Sequence, residues 1–221
     1  MEVPDWKAAA EGDSESWTEI AARMDGFTRR MEARAAEHRA KLLAAKTNWI
    51  LDNAWLCWRK DDLILSLCES PVWHDFERMK VLCPELFNPE LMRVGRFNGY
   101  VTFPKLPVVA PGYRGILTYV PVHGGITYCQ DWWDGSFTYG FDCGHAHSGE
   151  MGEIINDVDW MMHETESMAH GIQVAARFEP YYLRAEGDDA KARVLDRMGQ
   201  FLPLEVQGNF GAMINVMFGG L

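Results

Sequence analysis

Between Arg114 and Arg177 the chain has no lysine or arginine at all, although nine acidic residues and five of its seven histidines fall there. A stretch without fixed cations argues against a phosphate pocket and directs attention to metal binding or proton transfer, the chemistry of imidazole, carboxylate and thiol. Long apolar runs are missing too. The longest, such as Leu63–Leu67, fall far short of the roughly 20 residues that a bilayer span requires, so no membrane partner is expected. The N-terminus through Ser16 has neither a basic start nor an apolar core, and no export signal is expected. No CxxC pair occurs among the five cysteines, Cys57, Cys68, Cys83, Cys129 and Cys143. An odd number without paired spacing fits a reduced cytoplasm better than a disulfide framework. Walker, GxGxxG, GxSxG and HExxH motifs are all absent, which removes the common nucleotide, serine-hydrolase and zincin signatures.

What is present is apolar bulk and negative charge. Of 221 residues, 48% are hydrophobic, with nine Trp and twelve Met, so the chain can bury a substantial core and general disorder is excluded. The formal charge is −11. A protein this acidic releases no counterions on meeting DNA, RNA or anionic lipid, so direct nucleic-acid binding is not expected, whereas a basic protein partner is well matched.

Texture changes near residue 90, which predicts a helical N-terminal region, 1–90, and an α+β domain, 91–221. Trp17, Ile20, Ala21 and Met24 recur at helical spacing behind Ser14 or Ser16 as a cap. A charge-balanced amphipathic stretch follows from Phe27 to Leu43. The aromatic and aliphatic segment from Trp49 to Leu67 reads as buried helix, and Pro71 suits the first turn of another helix through Leu82. Beyond Pro84, five prolines up to Pro121 rule out long helices. Strands are predicted at Tyr100–Phe103, Ile116–Val120, Ile126–Cys129 and Ser136–Phe141, with Asp134-Gly135 as a hairpin turn. A helix from Glu150 to Phe178, broken near Asp157, should cover one face of an antiparallel sheet of three to five strands. Tyr181–Arg184 reads as a strand. Asp188 or Asp189 opens a last helix.

Two dense motifs lie in the cation-free stretch, Val122-His123-Gly124-Gly125-Ile126-Thr127 and Tyr139-Gly140-Phe141-Asp142-Cys143-Gly144-His145. The hairpin should bring them together. His123, Asp142, Cys143 and His145 supply the nitrogen, oxygen and sulfur donors of a zinc site. Cys143 with His123 or His145 also makes a nucleophile pair, and the same groups can form a hydrogen-bonded structural cluster. His163, Glu166 and His170 share one helix face, either as metal donors or as a wet polar face.

The order Asn98-Gly99-Tyr100-Val101, Pro104, Pro107, Gly112-Tyr113, VxVHGGIT, YGFDCGH resembles a widespread group of small bacteriophage and prophage proteins. That group shares GYV, VHGGLT-like and (W/F)GFDCAH-like segments followed by a helix. The likeness covers about Phe97 to Phe178. It departs after the last motif, where Ala146-His147-Ser148-Gly149-Glu150 replaces the group's usual Gly-Asp continuation. The resemblance carries over no catalytic residue. It implies an accessory protein in the cytoplasm of a bacterial host cell that binds and inhibits a host protein, for instance a nucleic-acid-targeting defence complex in the manner of an anti-CRISPR. Glu150, Glu153, Asp157 and Asp159 are the expected acidic binding surface. The alternative is a small zinc- or thiol-dependent hydrolase with its site at His123, Asp142, Cys143 and His145.

Overall fold

A computed structural model describes residues 29, 33, 47–71, 73, 77–78, 81, 95–108, 115–144, 154–205 and 207. The chain forms two compact units, Met1–Thr47 and Asn48–Leu221. The helices expected at Trp17–Met24 and Phe27–Leu43 lie outside the described residues, except that Arg29 and Ala33 are helical. The second unit is α+β, built on a five-stranded antiparallel sheet in the order β1-β2-β3-β5-β4. The strands are β1 (Leu56–Lys60), β2 (Leu63–Glu69), β3 (Phe97–Phe103), β4 (Tyr128–Asp131) and β5 (Phe137–Phe141). Helices accompany them, among them α1 (Trp49–Asp52), α2 (Val158–Arg184) and α3 (Asp188–Gly199).

The helical reading of the segment up to Leu67 fails here. Only its first residues form helix, and the rest is the β1–β2 hairpin, which joins β3 across the boundary expected near residue 90. The physical reason is burial on both sides. β2 lies between two neighbours and is covered on both faces, so apolar residues fall on both sides of it, with Ser66 buried among them, and a segment without clear apolar–polar alternation has no period to tell strand from helix. Asp61 at the two-residue turn has φ +55°, a left-handed conformation that Asp tolerates better than most residues. Downstream, Pro71, Trp73, Glu77, Arg78 and Val81 are helical, as the Pro71 start predicts.

Three other expectations shift. Ile116–Tyr119 is a 3-10 turn rather than a strand. It is bracketed by Gly115 at φ +88° and by Pro121, which has no N–H to give a ladder. Its apolar side chains Ile116, Leu117 and Tyr119 bury in the core instead. The strand expected at Ile126–Cys129 begins two residues later. Tyr181–Arg184 continues α2 beyond Pro180. An internal proline removes one helical hydrogen bond, but Tyr182 packs against Tyr119 with ring centroids 6.1 Å apart, and Arg184 Nε donates to the Pro180 carbonyl at 2.8 Å in the last turn.

The core lies between α2 and one sheet face. Leu63, Leu65, Leu67, Phe97, Val101, Phe103, Phe137, Tyr139 and Phe141 meet Met161, Met168 and Ile172, the apolar stripe of α2 expected from helical spacing, together with Ala175. Gly99 is the point of closest approach. A methyl group there would overlap the Phe141 ring and the Thr165 hydroxyl. The opposite face is smaller and more polar. Ile50 of α1 packs with Cys68 and Tyr100, and the Thr102 and Thr138 hydroxyls bond at 2.7 Å beneath the Trp132 indole.

Candidate functional site

The two motifs meet at one corner of the sheet. Gly125 N donates to Val122 O at 2.9 Å, closing a turn with His123 and Gly124 at its corners. Gly124 and Gly125 have φ +68° and +81°, backbone that a side chain would strain. Thr127 N then donates to Gly140 O at 2.9 Å, so the VHGGIT segment is pinned to the YGF strand. The β4–β5 hairpin continues the pairing from Tyr128↔Gly140 to Asp131↔Phe137. At its tip Asp134 Oδ1 accepts from the Ser136 amide and hydroxyl, and Gly135 takes φ +83°, as Asp-Gly predicts.

From that corner the side chains diverge in role. His123 is half-buried, its ring edge-on to Trp160 at 5.7 Å, while its backbone N–H donates to Glu164 Oε2 at 2.9 Å. Asp142 Oδ1 accepts from Gly144 N at 2.8 Å and so fixes the start of the following loop. Cys143 is fully buried. Its Sγ sits 3.7 Å from Met161 Sδ, and its carbonyl accepts from Gly95 N at 3.0 Å. Burial first, then the Asp142 and Glu164 charges, push the thiol up to about 12. A thiol so protonated and enclosed packs as a small apolar group. His145 lies outside the described residues, as do Glu150 and Glu153. Among the described residues, no group of three or more His, Cys, Asp or Glu side chains is arranged to hold a metal ion.

Glu164 is the member of this corner that the sequence reading missed. It ties α2 to the His123 turn and its charge reaches Cys143. Its signal was available: Asp157 caps α2, accepting from Trp160 N at 2.8 Å, and helical spacing then sets Trp160, Met161 and Glu164 on one side. Asp157 and Asp159 are exposed at the start of α2.

The His163, Glu166 and His170 face lines a separate cleft of about 370 Å³, closed by the β1–β2 turn on one side and the segment after α3 on the other. Glu166 accepts from the Trp58 indole and from Lys60 Nζ. The Lys60 hydrogen bond holds its carboxyl below the usual carboxylate range. A folded-state value below the unfolded one stabilises the fold above the unfolded value, and this is lost as pH falls through the folded value. Lys60→Met should therefore raise the Glu166 pKa and move its share of acid destabilisation to higher pH. Side-chain carboxyl NMR titration checks this; an unmoved Glu166 would contradict it. His163 Nε2 lies 3.7 Å from Glu205 Oε1, and His170 Nε2 lies 2.9 Å from the Phe201 carbonyl.

No protein-family model, curated protein or solved structure matches this chain. Among the described residues, no helix is long and apolar enough to cross a membrane.

Proposed function

We propose that the chain is an accessory protein of phage or prophage type that binds a basic host protein through an acidic surface and blocks it. The observation that carries this reading is the cation-free stretch itself. Folded as the β4–β5 hairpin and the start of α2, it leaves Asp131, Asp134, Asp157 and Asp159 exposed with no lysine or arginine of its own to neutralise them. Such a surface competes with a phosphate backbone for a basic channel, so nucleic-acid-targeting defence complexes are the class of target that fits. The sealed Cys143 thiol favours binding over thiol chemistry at the same corner.

The test is capture from host lysate on the immobilised full chain, followed by salt elution and competition with DNA. A basic partner should elute steeply with rising salt and be displaced by DNA. Asp159→Lys, which leaves the Asp157 cap intact, should weaken capture several-fold, because a misplaced rim charge acts on encounter and register. A partner held equally at high salt, or indifferent to Asp159→Lys, would rule against the acidic-surface reading.

A further inference from the structure

Among the described residues the sheet ends at β1 on one side and at β4 on the other. β1 carries the exposed cations Arg59 and Lys60, a common way to keep a foreign strand off an edge. β4 carries none, and no lysine or arginine occurs anywhere in the β4–β5 hairpin, Tyr128–Phe141.

The backbone of β4 shows what its edge offers. Trp132 N donates to Ser136 O at 2.9 Å, which makes these two a hydrogen-bonded pair of the antiparallel ladder. Such pairs alternate. By the register from Tyr128↔Gly140 to Asp131↔Phe137, Tyr128 and Gln130 turn their N–H and C=O groups to β5, while Cys129 and Asp131 turn theirs outward. Gln130 Nε2 donates to the Asp131 carbonyl at 2.8 Å and to Asp131 Oδ1 at 3.2 Å. That amide is neutral, so the edge stays negative. Both backbone groups of Cys129 and the N–H of Asp131 are open to an added strand.

The two faces of β4 differ. Asp131 is exposed on the face that α2 covers, across from Phe137. Tyr128 and Trp132 lie on the other, partly buried against the Tyr100 cluster. Past the end of the strand, Trp133 is 70% exposed at the hairpin tip. A carboxylate along one face and aromatic edges along the other match a strand that alternates cationic and apolar residues.

We propose that a strand of the basic partner protein pairs with β4, with lysine or arginine opposite Asp131 and apolar residues beside Tyr128 and Trp132. The indole of Trp133 takes the stem and charge of a further cation. A second copy of this chain is a poor occupant, because its net charge is also −11. The proposal rests on the reading of the chain as a binder of a basic protein, and it adds the element that docks and the form the partner takes there.

The experiment uses the full chain and two peptides, acetyl-Lys-Val-Lys-Val-Lys-Val-Lys-amide and the same peptide with glutamate for lysine. Amide hydrogen exchange followed by NMR reports the edge. In the free chain Cys129 and Asp131 should exchange fast and Gln130 slowly. The lysine peptide at saturation should slow Cys129 and Asp131 at least about tenfold and leave Gln130 little changed, which a charge contact without strand pairing would not do. The glutamate peptide should protect neither. Asp131→Lys, at an exposed position, should keep the native spectrum and bind the lysine peptide roughly fivefold more weakly. Binding that leaves both outward amides fast overturns the proposal, as does equal protection by the glutamate peptide or no protection at millimolar lysine peptide. Protection that grows with protein concentration alone gives the edge to a second copy and overturns it too. If a basic partner is captured and eluted by salt while its complex leaves both amides unprotected, the strand assignment falls and the acidic-surface reading stands. If the lysine peptide adds as stated but no basic partner is captured, β4 stands as a site for cationic strands and the acidic-surface reading falls.

Discussion

Phe141→Ala is expected to lower stability by about 3–5 kcal/mol, the usual cost of emptying a buried aromatic site. At this chain length such a loss corresponds to a melting point lower by roughly 10 °C. The Phe141 ring is 1% exposed and occupies the space over Gly99, the residue paired with it across β3 and β5. That contact makes a sharper test. Gly99→Ala places a methyl group into the Phe141 ring and the Thr165 hydroxyl, and overpacking of this kind costs about 1–3 kcal/mol. In the Phe141→Ala background the ring is gone, so the cost of Gly99→Ala should shrink. Urea denaturation of the four proteins gives the coupling. Strict additivity would mean that the ring does not limit residue 99.

The second large effect is chemical. Alkylation of Cys143 at pH 8 should be about 1,000-fold slower than that of Cys57, or slower still. Cys57 is exposed, while burial and the Asp142 and Glu164 charges push the Cys143 thiol up to about 12. A thiol shifted that far from its ordinary value near 9 loses about three orders of magnitude in thiolate, the reactive form. Lack of access adds to this. Cys68, buried and likewise pushed up to about 12, should be protected in the same way, and denaturant should bring all of them to one rate. An iodoacetamide time course read by peptide mass spectrometry makes the comparison. Modification of native Cys143 at the pace of Cys57 would reveal an accessible thiolate and return the nucleophile reading to the VHGGIT–YGFDCGH corner. On the binding reading, Cys143→Ala should fold and still bind its partner.

The parts of the fold legible in the sequence are those fixed by short-range chemistry. The Asp134-Gly135 turn, the strand after it, the break at Asp157 and the apolar stripe of α2 each follow from a local rule: turn geometry, side-chain capping or helical spacing. The α+β class and the covering helix follow from them. β2 was not legible, because a strand covered on both faces has no alternation to read. Ile116–Tyr119 and Tyr181–Arg184 went the other way, their apolar side chains serving the core around α2 in a backbone form that their strand-like composition does not favour.

The candidate site divides along the same line. The sequence by itself determined the charge, the cation-free stretch and the pairing of the two motifs through a hairpin, all consequences of composition and of residues close in the chain. Only the tertiary structure decided what each side chain does there. It sealed Cys143 behind Met161 and brought Glu164 to the backbone of His123. It also set His163, Glu166 and His170 against Lys60 and Glu205 from opposite ends of the unit. Burial and long-range contact depend on how α2 lies across the sheet, and no local pattern in the chain encodes that placement.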